Sequence, residues 1–266
     1  MAQRNIDSEV SYGPVHTRRT PLFRHRLRGD GRDPDRTHGF DLSVKRFAAF
    51  FAAAALALSA CSPAAAEAVF DAPVATRAAK ETGGLKTAIF AGGCFWGVEA
   101  VFSHTKGVSS AVSGYHGGSA ATAHYDQVSA GGTGHAEAVK VTYDPSVVRY
   151  DQLLQILFSV VADPTMLNAQ GPDRGTQYRA AIVPMSDEQR QVAAAYLTQM
   201  RASGVWSKPI VVTVERATTF YPAETYHQDF AKKNPNHPYI RRWDAPKVEA
   251  LRDKFPSLYN AVYKTG

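Results

Sequence analysis

Cys94 is the residue of this chain whose neighbours most favour chemistry. It lies in the run Gly92-Gly93-Cys94-Phe95-Trp96-Gly97, after a strand-like segment at residues 85–90 and before apolar residues at helical spacing. A thiol at a helix start lies beside unpaired backbone N–H groups, which favour the nucleophilic thiolate. A lone cysteine is more often a buried structural residue. The glycines and the strand-to-helix turn nevertheless predict a reactive nucleophile.

Polar residues at loop ends and strand starts supply the acid, base and hydrogen-bond donors that a cysteine enzyme needs. Glu137 follows a glycine-rich loop and begins an apolar strand, where desolvation keeps a carboxyl protonated and able to donate a proton. Tyr125 and Tyr178 carry phenols that can hydrogen-bond a reacting oxygen, and Asp173 lies in a turn. The ordinary interpretations are a solvated carboxylate for Glu137, packing for the tyrosines and turn formation for Asp173.

The histidines leave two other functions open. They lack the paired spacing of a metal motif, and the sequence has no glycine-rich phosphate loop, so we predict neither a metal nor a bound cofactor. Cys94 with His135 or His227 could form a cysteine acyl-transferase or protease, which requires an imidazole hydrogen-bonded to the thiol. The third interpretation is a lipoprotein binding module in which Cys94 has no catalytic role.

The positive charge of the chain is concentrated near its N-terminus. The formal net charge is +6, but residues 1–61 hold 10 of the 30 Lys and Arg residues and 6 of the 24 Asp and Glu residues, which leaves +2 for the remainder. We therefore expect no nucleic-acid partner.

The first 61 residues read as a leader. Residues 1–43 are rich in Arg, Asp, Gly and Pro and are predicted to be disordered, or not translated if synthesis starts at Val44. Residues 44–61 combine Lys45-Arg46 with an apolar run of the length of a signal peptide. The ending Leu-Ser-Ala-Cys resembles a bacterial lipobox, which implies lipidation of Cys61 and an exported, periplasm-facing lipoprotein of the cell envelope. The alternative is an internal core helix.

The rest of the chain predicts a flexible tether and one domain. Residues 62–84 are Ala- and Pro-rich and read as the tether, and residues 85–266 as the catalytic domain. Within the domain we predict strands at residues 136–143, 177–183 and 210–215, a helix over 151–161, and a helix that starts at the capping box Ser186-Asp187-Glu188-Gln189 and runs to about residue 200. The order strand, helix, strand, strand, helix, strand, helix, strand favours an α+β fold, a two-layer α/β sandwich with a mixed sheet. We expect a ferredoxin-like core with long loops and an irregular C-terminal region.

Several separated motifs resemble one family, the A-type peptide methionine sulfoxide reductases. The resemblance covers roughly residues 85–255. It rests on these segments, in this order: Gly92-Gly93-Cys94-Phe95-Trp96-Gly97, Gly134-His135-Ala136-Glu137, Gly171-Pro172-Asp173-Arg174-Gly175-Thr176-Gln177-Tyr178-Arg179 and Tyr226-His227-Gln228.

The resemblance implies a role for each candidate. Cys94, as thiolate, would attack the sulfur of a methionine S-sulfoxide, and Glu137 would protonate the sulfoxide oxygen. Tyr125 and Tyr178 would hydrogen-bond that oxygen, and Asp173 would arrange the polar side of the site. Methionine would leave, and the cysteine would become a sulfenic acid.

Three further residues would hold the substrate. Phe95 and Trp96 would form an apolar pocket for the substrate methyl group, and His227 would lie at its margin, near the substrate backbone. Oxidised proteins and free methionine sulfoxide are the implied substrates, and protein repair is the implied role. We expect a monomer that meets the membrane only through its lipid anchor.

The chain departs from many relatives in lacking a resolving cysteine near its C-terminus, since residues 244–266 contain none. Cys61, at the lipidated terminus or removed with the signal, is a poor substitute. We therefore predict a cycle in which an external thiol reduces the Cys94 sulfenic acid directly. That reductant would be thioredoxin, glutaredoxin with glutathione, or a periplasmic equivalent.

Overall fold

A mixed sheet of six strands forms the centre of residues 69–266, the part of the chain that the structure, a computed structural model, describes. The strands in chain order are β1 (Lys86–Gly92), β2 (Val108–His116), β3 (Ala136–Tyr143), β4 (Ala169–Gln170), β5 (Asp173–Arg174), β6 (Ala180–Val183), β7 (Thr213–Val214) and β8 (Phe220–Pro222). Their order across the sheet is β7-β6-β1-β3-β2-β8, and β4 pairs with β5 separately. Only the β6–β7 pair is parallel within this described sheet.

Six α-helices accompany these strands in residues 69–266: α1 (Phe95–Ser103), α2 (Tyr125–Ala130), α3 (Tyr150–Ile156), α4 (Asp187–Ala202), α5 (Phe230–Lys233) and α6 (Ala245–Lys254). The predicted cap of α4 is confirmed, because the Ser186 side chain accepts a hydrogen bond from Gln189 N. The helix predicted over residues 151–161 instead comprises α3 and a π-helical turn, Leu157–Val161. No helix in the described range is long and apolar enough to cross a membrane.

The core is ferredoxin-like, as the sequence predicts. The units β1-α1-β2 and β3-α3-β6 interlock so that four strands lie in the order β6-β1-β3-β2. Alternation along β3 places Val139, Val141 and Tyr143 in the main core with α1 and α3. Ala136 and Ala138 point to the opposite face, in a smaller cluster. The α+β class, the mixed sheet and the two-layer packing are thereby confirmed.

The segment before β1 differs from its prediction. The tether was predicted over residues 62–84, but residues 69–84 pack along α3 and α4, with Ala72 and Ala79 buried. This segment has no regular secondary structure, so its backbone N–H and C=O groups form hydrogen bonds with side chains of α3 and α4. Ala79 N donates to Asp151 Oδ1 at 2.8 Å, and Tyr196 OH donates to Pro73 O at 2.8 Å. The flexible-tether prediction is therefore corrected for residues 69–84, and we call them the strap.

The predictions for residues 1–43 and 44–61, including Cys61, and for residues 62–68 lie outside the described residues. Two later segments are shorter than predicted. The strand expected at residues 210–215 is limited to β7, and the strand expected at 177–183 begins only at β6. In the second case Gly175, with φ of 133°, turns the chain into a 3-10 turn, and Gln177 is buried with Nε2 donating to Ser129 O.

Candidate active site

The turn from β1 to α1 places Cys94 at the N-cap of the helix, as predicted. Gly93 makes this turn possible. Its φ is 91°, and a Cβ there would lie 2.5 Å from Gln170 Cβ, so both the backbone conformation and the space exclude a side chain. Cys94 is partly buried and is the only cysteine among the described residues. The nucleophile is thus fixed by backbone geometry at the end of a buried strand.

The Cys94 thiol is not activated by its helix start in the free protein. Burial raises its pKa well above the usual value, and the carboxyl groups of Glu137, Asp244 and Asp173 raise it further. Only the backbone N–H of Trp96 opposes them. The backbone N–H at the helix start lowers the thiol pKa in the predicted direction, but desolvation and the nearby carboxyls outweigh it, so the predicted net preference for the thiolate is not found in the free protein.

Glu137 lies beside the nucleophile, at the second position of β3. Its Oε2 accepts a hydrogen bond from Phe95 N at 3.0 Å, and the side chain is buried. Burial raises its pKa to about 8, with contributions from Asp173 and Asp244, while the Phe95 N–H lowers it. Glu137 therefore carries its proton at pH 7, and a protonated carboxyl is the form that a proton donor requires.

Two phenols and an aspartate complete the polar side. Burial, Glu137 and Cys94 raise the pKa of Tyr125 to about 12. Burial raises the pKa of Tyr178, and the nearby carboxyl groups of Glu137 and Asp173 raise it further. Because these groups shift one another's pKa values, the five predicted polar residues lie close together: Cys94, Tyr125, Glu137, Asp173 and Tyr178. Both phenols are half-buried and keep their protons for hydrogen bonding.

Asp173 lies in β5 and is held by a residue that sequence reasoning missed. Tyr239 OH donates a hydrogen bond to Asp173 Oδ2. Burial raises the pKa of Asp173, although this bond and the charges of Lys247 and Arg174 lower it. Burial and Cys94 raise the pKa of Tyr239, so this phenol also belongs to the site.

Aromatic rings form the apolar side. The Trp96 indole stacks on Phe230 with ring centroids 3.8 Å apart, and its Nε1 donates to His227 Nδ1 at 3.1 Å. The His227 ring lies 5.0 Å from that of Phe95 and 4.3 Å from that of Tyr125. Phe95, Trp96 and His227 are thus brought together as predicted.

The histidine chemistry of the alternative function is not assembled. The His135 ring is used by the backbone, with Gly118 N at 3.1 Å from Nδ1 and Ser119 O at 2.9 Å from Nε2. Burial lowers the pKa of His227, and its Nδ1 accepts from Trp96. Neither ring is hydrogen-bonded to Cys94 in the described structure, as an acyl-transferase or protease would require.

Two acidic residues near the site were also missed. Asp244 is buried, contacts the position where a Gly97 side chain would lie, and raises the pKa of Cys94. Glu224 accepts from Tyr125 N at 2.9 Å and from Tyr115 OH at 2.7 Å. No spacing signal could have found Asp244, whereas Glu224 lies just before the recognisable Tyr226-His227-Gln228 motif. No group of three potential metal ligands occurs in residues 69–266.

Comparisons with known proteins agree on one family. The family described as peptide methionine sulfoxide reductase matches residues 86–258. Peptide methionine sulfoxide reductase MsrA 2 of Mesorhizobium japonicum is 56% identical over 68% of this chain and 93% of its own length. The protein of that name from Synechocystis is 48% identical over 71% of this chain and 86% of its own. Mxr1 from Saccharomyces cerevisiae, solved in reduced form, has 30% identity and a TM-score of 0.54, covering 61% of this chain and 92% of that one.

Proposed function

Because this chain belongs to the peptide methionine sulfoxide reductase family and reduces methionine S-sulfoxide in proteins, we propose that Cys94 is its nucleophile and Glu137 its proton donor. The observation that carries the proposal is the hydrogen bond from Phe95 N to Glu137 Oε2 at 3.0 Å, which holds a neutral carboxyl beside the residue that follows Cys94. A neutral carboxyl is the form that can donate to an oxygen gaining negative charge.

The reaction balances with these two groups. Cys94 Sγ loses its proton and attacks the sulfoxide sulfur, while Glu137 gives its proton to the sulfoxide oxygen. The hydroxyl then passes to Cys94 Sγ as the bond from the methionine sulfur to oxygen breaks. Methionine is released reduced by two electrons, Cys94 is oxidised by two electrons to a sulfenic acid, and the proton lost by the thiol restores Glu137.

Tyr125 and Tyr178 serve as hydrogen-bond donors to the sulfoxide oxygen, since their raised pKa values keep both phenols protonated. Asp173 arranges the polar side of the site through its bond with Tyr239. Phe95 and Trp96 provide the apolar wall for the substrate methyl group. His227 lies at the margin of this wall, where its ring can meet the substrate backbone.

The second half of the cycle uses an external thiol. A thiol regenerates the enzyme, and with a single cysteine in the described domain the sulfenic acid is reduced intermolecularly. Thioredoxin, a glutaredoxin with glutathione, or a periplasmic equivalent would fill this role. Free methionine sulfoxide is a second substrate, and the enzyme acts as a monomer.

Residues 44–61 support export of the protein to the cell envelope. The basic and apolar pattern of residues 44–61 and the Leu-Ser-Ala-Cys ending favour export, with lipidation at Cys61 as the anchor to the cell envelope. The experiment is mass spectrometry of the mature protein isolated from the cell envelope. An acylated peptide beginning at Cys61 supports the proposal, and an unmodified N-terminus at another residue contradicts it.

The proposed roles are tested in a single turnover with a racemic methionyl sulfoxide peptide and no reductant. The wild type is expected to consume only the S epimer and to gain one oxygen on Cys94, detected by mass spectrometry. Cys94→Ser should abolish the reaction. A Cys61–Cys94 disulfide in the product would refute the single-cysteine cycle.

A further inference from the structure

Arg179 links three segments of the chain through one guanidinium group. Nε and Nη2 donate to the two carboxylate oxygens of Glu215 at 2.7 and 3.1 Å. Nη1 donates to Thr176 O at 3.0 Å, and Nη2 also donates to Gly134 O at 3.3 Å. The planar, multiply donating group of arginine suits this fork, whereas a lysine ammonium could reach only part of it.

Both carbonyls belong to backbone that leads into the active site. Gly134, with φ of 80°, lies three residues before Glu137, at the end of the glycine-rich loop. Thr176 opens the 3-10 turn that ends at Tyr178. The segment that carries the proton donor and the segment that carries a phenol are therefore bound to the same side chain.

The anchor of this link is a persistent ion pair. Although burial opposes ionisation, the hydrogen bonds from Arg179 and the nearby His116 ring, whose Nδ1 lies 3.7 Å from Glu215 Oε2, lower the pKa of Glu215 to about 2. Glu215 is therefore charged at any working pH and holds Arg179 in place. Thr218 N donates to His116 Nε2 at 3.2 Å, which fixes the other side of the anchor.

We propose that Arg179, held by Glu215, is a positioning residue that sets Glu137 and Tyr178 at a fixed separation around the sulfoxide oxygen. This inference rests on the proposed roles of Glu137 and Tyr178. Arg179 acts through the two backbone segments rather than through its charge, since the charges that raise the pKa of Glu137 are those of Asp173 and Asp244. A misplacement of about 1 Å at a reacting group can lower a rate by about 100-fold.

The test separates the two half-reactions in Arg179→Met and Arg179→Lys. Single-turnover reduction of a peptide methionine sulfoxide should slow at least tenfold in Arg179→Met and less in Arg179→Lys, with a sulfoxide KM within about threefold of wild type. Reduction of preformed Cys94 sulfenic acid by dithiothreitol should keep its wild-type rate, because Glu137 and Tyr178 are assigned to the first half-reaction. A general loosening of the fold would not separate these rates.

Glu215→Gln and the double variant with Arg179→Met test the link itself. The double variant should be no slower than Arg179→Met alone, because the two residues act as one unit. Arg190→Met is the matched control, since the exposed Arg190 donates to the exposed Asp187 at 2.8 Å, on the first turn of α4. A folded Arg179→Met or Arg179→Lys with a wild-type single-turnover rate would overturn the inference.

Glu137→Gln, measured in parallel, distinguishes failure of the inference from failure of the proposed function. If Glu137→Gln is slow and Arg179→Met is fast, only the positioning role fails. If Glu137→Gln keeps the wild-type rate, the proposed proton donor is wrong and the positioning role falls with it.

Discussion

Two buried glutamates, Glu99 and Glu137, both have a pKa of about 8, and burial is the largest cause in each. Glu99 lies in α1 and its Oε2 accepts from Asp229 N at 3.0 Å. Glu137 instead accepts from Phe95 N, at the start of that helix. A raised pKa alone therefore does not identify the proton donor, and the position next to the nucleophile does.

Glu137→Gln removes the proton donor while preserving shape. We expect the single-turnover rate to fall about 100-fold or more, within the usual contribution of general acid catalysis. Quenched-flow measurement of methionine formation checks this. Glu99→Gln is the matched control and should stay within about threefold of wild type at pH 7, because it replaces an equally buried carboxyl away from the substrate. Equal losses in both variants would contradict the assignment.

Glu137→Gln, which should slow the reaction, should make the folded domain less sensitive to rising pH. The pKa of Glu137 is about 8 in the folded protein against a usual 4.5, so the folded state binds more protons between these values. The free energy of unfolding therefore falls as pH rises through this window, by up to about 1.4 kcal/mol per pH unit. Glu137→Gln lacks this titration, so its free energy of unfolding should rise by about 2–3 kcal/mol relative to that of the wild type as the pH is raised from 5 to 7. Urea titrations at each pH measure it, and parallel pH dependences would refute it.

Sequence reasoning at the residue scale succeeded for neighbours in the chain and failed for charges that meet only in the fold. The motif around Cys94 was enough to predict a helix N-cap. The protonation of the thiol was not predictable, because it depends in part on Asp244. This residue lies 150 positions later, at the N-cap of α6, and comes near Cys94 only in the folded domain. Glu137 was predictable because its own strand pattern already implied burial.

At the scale of elements, the β1–α1 turn carries the nucleophile and depends on one glycine. Gly93 combines a φ of 91° with a neighbour, Gln170, whose own side chain is fixed by Asp163 N and Asp163 O at 2.9 Å each. Because Gln170 cannot withdraw easily, a side chain at position 93 must displace the turn.

Gly93→Ala should therefore impair both stability and activity. We expect the free energy of unfolding to fall by about 2–4 kcal/mol, because of the left-handed backbone and the overlap with Gln170. The single-turnover rate should fall at least tenfold, because Cys94 moves with the turn. Gly132→Ala is the control, since Gly132 has φ of 78° but no atom within 4 Å of the added Cβ. It should cost about 1 kcal/mol and leave the rate unchanged. Denaturation and quenched-flow assays provide both values, and equal effects would contradict the steric argument.

The elements that sequence reasoning located best are those with a complete local signal. β3 spans the predicted Ala136–Tyr143, because alternation and the following Asp144-Pro145 define both its face and its end. Residues 210–212 carry a strand-like apolar run, yet only Thr213–Val214 pairs with β6. Ladder pairing depends on a neighbouring strand, and no pattern within the segment reveals how much of it finds one.

At the scale of the whole domain, the strap moves the start of the folded unit from residue 85 to at least Val69. Its composition alone suggested a tether, since it lacks periodicity. The strap is held by backbone groups meeting side chains of distant helices, including Thr76 N to Gln199 Oε1 at 2.9 Å and Lys80 N to Glu188 Oε1 at 3.0 Å. Such contacts have no signature in the strap sequence, so only the assembled helical layer reveals them.

Ala79→Glu tests whether the strap belongs to the folded domain. Ala79 is 8% exposed, and its N–H bonds Asp151, so a glutamate there must bury a carboxylate beside another or release the strap. We expect a loss of about 2–4 kcal/mol in the free energy of unfolding, measured with urea. Ala78→Glu places the same charge at an exposed neighbour and should change stability by less than about 0.5 kcal/mol. Because the strap packs on α3 and α4 and not on Cys94, the folded fraction of Ala79→Glu should keep the wild-type single-turnover rate. Equal stability of the two variants would mean that the strap detaches freely and that the domain begins at β1.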